Sequence, residues 1–198
     1  YDDKIGKNKP IVFNTGQNIF GFLRTYKETG EKKYLDCAIK AGNFLIENVD
    51  EKGIWNRYLH HDIPHTYNSR TSWALLKLHS ITGNDDYKKI AAANLDWVIR
   101  QQHENGWFDH AHFKPGEFPN THGIAYTLRG LLESHLIIKN QSYCDAVILT
   151  SQNLLKQIEA GNPLYTFWDR QWKNHGKYFP RMKGRYRCLT GNIQLAIV

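Results

Sequence analysis

Displaced by 53 positions, the sequence falls on itself: Thr29-Gly30 meets Thr82-Gly83, Tyr34 meets Tyr87, Ala38 meets Ala91 and Gly53 meets Gly106. Phe44 also meets Trp97 and Ile46 meets Ile99, in order and without a gap. Matches at one fixed period mean repeated supersecondary units, each burying an apolar face on its neighbours. At the same offset the stretch from His122 to Leu131 follows that from Ser69 to Leu78, and Thr190-Gly191-Asn192 opens a further unit.

Within a unit the apolar spacing is helical. Ile19, Phe22, Leu23 and Tyr26 recur at intervals of three and four and end at Thr29-Gly30, where glycine can take the left-handed conformation that closes a helix. Tyr34, Leu35, Ala38, Ala41, Leu45 and Ile46 mark a second helix, which stops before Asp50–Gly53. The expected architecture is all-α: helical hairpins over about 15–50, 68–103 and 120–159, with a fourth starting at 190, in a single domain 1–198. Turns within a hairpin are short, whereas the stretches Asp50–Tyr67 and Asn105–Pro119 between hairpins are long. That asymmetry places every long loop, and the start of every first helix, on one face.

A length of 198 residues suits one domain with a sizeable core. Aromatic residues make up 13%, with six Trp and eleven Tyr, a surplus that suits either a helical core or a pocket for a flat, hydroxylated ligand. The net charge of +7 favours an anionic partner. The basic residues are dispersed apart from a modest cluster between Lys173 and Arg187, which argues against nucleic acid and leaves an acidic saccharide or polysaccharide as the expected partner. Cys37, Cys144 and Cys188 are odd in number and widely spaced, so free thiols and a reducing, cytoplasmic setting are expected. No apolar run approaches membrane-spanning length, and no membrane insertion is expected. The start at Tyr1 without methionine, and the end at Val198 inside a helical pattern, read as an excised piece of a longer chain.

Thr15-Gly16-Gln17 with Leu23 and Tyr26, Tyr34-Leu35 with Ala38, Asn120-Thr121-His122 with Ile124-Ala125-Tyr126-Thr127 and Leu131-Leu132-Glu133, and Thr190-Gly191-Asn192 with Gln194 give the chain a family likeness. It resembles the α/α-toroid proteins: six-hairpin glycosidases, the squalene-cyclase and prenyltransferase group, and the glucuronyl C5-epimerase-like and N-acylglucosamine 2-epimerase-like proteins. The third hairpin is similar to the C-terminal toroid of glucuronyl C5-epimerases and to toroid proteins of bacterial polysaccharide biosynthesis. A full six-hairpin toroid at this period needs more residues than the chain has, so the resemblance implies a partial toroid. The Asp-Cys-Thr-Ala-Glu motif of squalene cyclases is absent, which removes terpene chemistry, and Asp36-Cys37 lies within a helix with no matching histidine for zinc.

Chemistry-bearing residues gather in the long loops. In Gly106-Trp107-Phe108-Asp109-His110-Ala111-His112-Phe113, extended backbone would project His110 and His112 to one side, as an acid/base pair or a metal pincer needs, and Asp109 to the other. His122 opens the third inner helix, where the helix dipole would hold it neutral. Arg70 opens the second and could clamp a carboxylate, flanked by Tyr67 and, from the third unit, Tyr126. In Trp55–His65, His60 and His61 should point apart, leaving His65 as the pocket member. The last long loop carries Tyr165, Trp168, Asp169, Arg170, Trp172, Tyr178 and Arg181, rings and charges suited to stacking a sugar and holding its edge. Asp109 and Asp169 could pair for glycoside hydrolysis if close enough. Each has a bland counterpart: packing of the loops onto the rim, or solvated histidines.

No metal-ligand pattern, phosphate-cradling glycine loop or nucleophile elbow is present, so neither metal nor cofactor is expected. The expectation is a carbohydrate-active enzyme working on an acidic sugar by proton abstraction beside a carboxylate or by hydrolysis. Its catalytic candidates are His110, His112, His122, Asp109 and Asp169, and its substrate-binding candidates are Arg70, Tyr67, Trp107, Tyr126, Trp168, Arg170 and Trp172. The alternative is a non-catalytic toroid that binds glycans or scaffolds a polysaccharide assembly.

Overall fold

The computed structural model describes residues 9–162, 164, 166–175, 178–179, 184–185 and 187–198. Seven helices run through them: α1 (Val12–Thr29), α2 (Lys32–Glu47), α3 (Ser69–Thr82), α4 (Asp85–Arg100), α5 (Thr121–Ile138), α6 (Gln141–Glu159) and α7 (Leu189–Ala196). The last long loop adds two small antiparallel hairpins, β1 (Phe167–Trp168) with β2 (Asn174–His175) and β3 (Tyr178–Phe179) with β4 (Gly184–Arg185).

The helices pair as hairpins, α1 with α2, α3 with α4 and α5 with α6. The first members also pack in sequence order, α1 on α3, α3 on α5 and α5 on α7, as an inner layer with α2, α4 and α6 outside it. This is the α/α toroid, present here in part. Each inner helix closes in the left-handed region, at Gly30, Gly83 and Lys139, whose N–H bonds back to Tyr26, His79 and His135 respectively. Two-residue turns follow, and Asn84 and Asn140 then cap α4 and α6 with their side chains. His79 and His135 brace these turns through Nδ1 to the carbonyls of Asn84 and Asn140.

The 53-residue period reappears as geometry. The backbone bridge Val49–Trp55 in the first long loop recurs as Gln102–Phe108 in the second. Gly53 and Gly106 sit at the same place in these loops, with φ of 78° and 79°. In each case the next outer helix reaches across to the glycine carbonyl: Asn94 Nδ2 donates to Gly53 O at 2.8 Å and Thr150 Oγ1 to Gly106 O at 2.7 Å. A Cβ on Gly53 would lie 2.5 Å from the Ala93 carbonyl carbon, so only glycine lets the loop lie on α4.

Between the layers lies a core that includes Ile19, Leu23, Ala38, Leu45, Leu75, Leu76, Leu78, Tyr87, Leu95, Val98, Leu128 and Leu131. The long loops are tied to the inner-helix starts and to one another. Val12 N donates to Tyr58 O, Thr66 N to His110 O, and Thr121 N to Thr166 O, at 2.8, 3.0 and 2.8 Å. Each long loop is therefore fastened beside an inner-helix entry, and the loops form a continuous collar at the N-terminal ends of the inner helices. Among the described residues no helix is long and apolar enough to cross a membrane.

Candidate functional site

The collar and the inner-helix starts enclose a polar cluster. A 3-10 turn, Thr66–Asn68, leads into α3 and delivers Tyr67, Asn68 and Arg70; α3 adds Trp73, α5 adds His122 and Tyr126, and α7 adds Asn192 and Gln194. The local reason is the compact entry of each inner helix. Asn120 Oδ1 accepts from Gly123 N at 2.7 Å and starts α5, which fixes the direction of His122 two residues on. At the start of α7, Gly191 lies so close to α5 that a Cβ would approach His122 N to 2.7 Å.

Arg70 is the centre of this cluster. Its guanidinium carbon lies 4.4 Å from the Tyr126 ring centroid and 5.6 Å from that of Trp73. Nη2 donates to Gln17 Oε1 at 3.1 Å and Nη1 to Gln194 Oε1 at 3.5 Å. Both partners are neutral amides, and Gln17 stands at the repeat-equivalent position on α1, 53 residues earlier. Glu133 is bonded to Arg129 on its own helix, at 2.7 Å. Burial, and then the Arg129 charge, work against the Arg70 cation, partly offset by Tyr126 and Glu133. A guanidinium remains charged even so.

Aromatic rings connect Arg70 to the other members. The His122 ring is 4.2 Å from Tyr126, Phe13 is 5.3 Å from both Tyr67 and Tyr126, and Phe113 is 5.1 Å from Tyr67 and 6.4 Å from His122. Burial, and secondarily the nearby Arg70 charge, hold the His122 pKa below the ordinary value. Burial pushes the Tyr67 phenol up, so it stays protonated. Tyr67 Oη, Asn68 Oδ1, Arg70 Nε, Trp73 Nε1, His122 Nε2 and Asn192 Oδ1 are all buried without a hydrogen-bond partner among the described residues. A buried polar atom left unpaired costs roughly 1–3 kcal/mol, and six of them gather here, on Tyr67, Asn68, Arg70, Trp73, His122 and Asn192.

The remaining expected site residues fall elsewhere. The extended geometry expected for 109–112 is not found: His110 is left-handed, with φ of 58°, because its carbonyl turns to accept from Thr66 N. The His110 and His112 rings nonetheless meet, 6.2 Å apart. Burial lowers the His112 pKa, with His110 adding to it and Asp109 and Glu117 opposing. Asp109 bonds to His103 Nε2 at 2.7 Å, with Arg170 Nη2 at 3.5 Å. Asp169 instead organises its own turn: it accepts from the N–H groups of Gln171 and Lys173 and meets His175 Nε2 at 2.7 Å. Burial would raise its pKa, but these hydrogen bonds outweigh that and lower it. The two aspartates thus serve separate networks.

Trp107, Trp168 and Trp172 are buried against one another at 5.6 and 6.0 Å, with Trp168 Nε1 on Thr121 Oγ1 and Trp172 Nε1 on Asn105 O. Their rings are taken up in fastening the last loop to the collar. His65 is buried, with Nδ1 on His112 O and Nε2 on His60 O at 2.9 and 2.8 Å, and joins two loops. Tyr165 and Arg181 lie outside the described residues. Sequence reasoning placed Phe113 in a candidate segment but did not single out Trp73, Asn68, Asn192 or Phe13 for the site. Their helical or loop spacing reads as packing, and the one available signal was the alignment of Gln17 with Arg70.

No family model matches the chain, and no curated protein does. Solved structures match its fold. The cellobiose 2-epimerase from Spirochaeta thermophila aligns over 85% of this chain and 48% of its own, with 16% identity and a TM-score of 0.66. A D-mannose isomerase aligns over 87% and 48%, with 16% identity and a TM-score of 0.69. A possible GH105 family member from Salmonella enterica serovar Paratyphi A aligns over 89% and 52%, with 14% identity and a TM-score of 0.63. The chain spans about half the length of these proteins. At such identities the likeness is one of fold, an α/α toroid.

Proposed function

We propose that this chain carries the binding site of a carbohydrate-active enzyme that acts on an acidic sugar or polysaccharide, by removing the proton beside its carboxylate. The observation that carries this reading is Arg70, a half-buried cation held by two neutral amides and two aromatic faces, with its buried Nε unpaired among the described residues. A substrate carboxylate supplies the missing counter-charge, and Trp73 Nε1 and Asn192 offer further edges for hydroxyls. That a cellobiose 2-epimerase and a D-mannose isomerase share the fold agrees with this reading.

In this reading, His122, held neutral, takes the proton from the carbon next to the carboxylate, and the electron pair moves onto the carboxylate oxygens that Arg70 stabilises. Tyr67, kept protonated by burial, is a second proton donor in the cluster. Return of a proton to the other face completes epimerisation, whereas loss of the substituent on the next carbon completes elimination. A role in making or remodelling a bacterial polysaccharide follows from the same substrate chemistry.

The test is a screen of uronate-containing oligosaccharides, followed by absorbance of an unsaturated product and by deuterium uptake at the carbon beside the carboxylate. Arg70→Met should weaken binding of the acidic sugar more than it slows the bound sugar. His122→Gln should lower turnover by about 10²- to 10⁴-fold, the range for a lost acid or base, with little change in stability. Binding that needs Arg70, with neither exchange nor product from any uronate, would turn the reading into a glycan-binding toroid. Acidic-sugar binding that is unchanged by Arg70→Met would end it.

A further inference from the structure

A cleft of about 270 Å³ opens in the collar and is lined by Trp107, Phe108, Asp109, His110, His112 and Glu117, together with Phe118 and Pro119. None of the residues clustered around Arg70 lines it. The segment 110–113 forms the wall between the two places. The His110 carbonyl is held by Thr66 N and the His112 carbonyl by His65 Nδ1, so the backbone of this wall is pinned on the side of the α3 entry. Phe113 turns back towards Tyr67 and His122, while the rings of His110 and His112 stand together in the cleft.

The chemistry of this cleft differs from that around Arg70. Its titratable lining consists of two carboxylates, Asp109 and Glu117, and two imidazoles, of which His112 is held towards the neutral form, with His103 and Arg170 behind Asp109. Phe118 is 49% exposed and stacks on His175 at 5.0 Å, presenting a broad flat surface at the edge. Flat apolar surface beside hydroxyl-accepting carboxylates and imidazoles suits a ring that is hydroxylated but not anionic. The volume falls just under the lower end of the roughly 300–1,000 Å³ of ordinary ligand pockets, room for one small ring. Among the described residues no group of three or more His, Cys, Asp or Glu is placed to hold a metal ion.

We infer that this cleft is a second saccharide subsite, separate from Arg70, that takes an uncharged sugar ring. If the reading of Arg70 given above also holds, the two places would together suit a polymer that carries neutral as well as acidic residues. The neutral subsite stands without that reading, because its lining owes nothing to Arg70.

The experiment is titration of the 198-residue chain with neutral glucose, mannose and galactose oligosaccharides and with glucuronate-bearing ones, followed by tryptophan fluorescence and histidine resonances. Phe118→Ala, Glu117→Gln and Arg70→Met are compared with the wild type. Phe118 is exposed and Glu117→Gln keeps its shape, so loss of fold is not the expected cause of any change, and helical circular dichroism checks this. At least one neutral oligosaccharide should bind and shift the His112 signals. Phe118→Ala should weaken that binding roughly tenfold, the order expected for a lost stacking surface, while Arg70→Met leaves it intact. The inference is overturned if no neutral sugar binds at millimolar concentration. It is equally overturned if neutral binding survives Phe118→Ala and Glu117→Gln together, or if simple amines or calcium displace the sugar from the cleft. Failure of the Arg70 reading shows separately, as acidic sugar binding indifferent to Arg70→Met.

Discussion

Replacing Gly53 by Ala adds one methyl group, and the structure says what it meets. The residue has φ of 78°, and the new Cβ would stand 2.5 Å from the carbonyl carbon of Ala93 and 2.6 Å from Asn94 N, both backbone atoms of α4. The left-handed conformation alone costs an L residue roughly 1–2 kcal/mol. The overlap cannot be relieved by a rotamer, so the loop must lift from α4 and strain the bond from buried Asn94 Nδ2 to Gly53 O. Stranding that amide adds roughly 1–3 kcal/mol, for a total of about 2–5 kcal/mol. Gly106 has the same φ but its Cβ would stay 3.0 Å from the nearest atom, Thr150 Cα, so Gly106→Ala should cost about 2 kcal/mol. Gly83, with φ of 71° and nothing within 4 Å, isolates the conformational part, about 1 kcal/mol for Gly83→Ala. Denaturant unfolding followed by far-ultraviolet circular dichroism should rank the three in that order. In thermal melts, at about 2–4 °C per kcal/mol for a chain of this size, Gly53→Ala should lower Tm by about 10 °C. If Gly53→Ala were no more destabilising than Gly83→Ala, the close seating of the first long loop on α4 would be wrong.

Lys139 closes α5 in the left-handed region where Gly30 and Gly83 close the other inner helices, so Lys139→Gly should raise stability by up to about 1 kcal/mol in the same assay. His65 has two carbonyl acceptors that favour its protonated form, but burial dominates and lowers its pKa to about 4. The unfolded chain therefore takes up this proton near pH 6.5 while the folded one resists. Stability is full above that pH and falls as the pH drops towards 4, by roughly 3 kcal/mol at most from this group. Denaturation midpoints at pH 7 and 5 should show the loss, and His65→Gln should reduce it. If Arg70 meets a carboxylate, raising salt should weaken acidic oligosaccharides and leave neutral ones unchanged, as calorimetric titration at two ionic strengths would read.

Parts of the candidate site were legible before the fold was known. Arg70, Tyr67, His122 and Tyr126 belong to the starts of inner helices, and the alternation of short and long connections already put those starts on one face. The tryptophans of the last loops illustrate the opposite case. Trp107, Trp168 and Trp172 have the composition of a sugar platform, yet their rings close on one another and on the backbone of the collar. Which face of an aromatic ring is free depends on long-range packing, and no local pattern encodes it. The same holds for Asp109 and Asp169, whose partners His103 and His175 lie six residues away but meet them only after the loop has folded back.

The sequence by itself determined the repeating unit, the helical hairpin and the positions of the glycines on which loops must turn, because periodicity and left-handed φ are properties of a few neighbouring residues. Only the tertiary structure decided that Arg70 would lie between Gln17 and Gln194, contributed by helices 53 and 124 residues away in the chain. It also decided that His110 and His112 would line a cleft while Phe113, in the same segment, turns to the Tyr67 and His122 rings. Those outcomes depend on how far each inner helix is shifted along its neighbour and on which loop bonds to which helix entry, quantities set by packing between units and not within one.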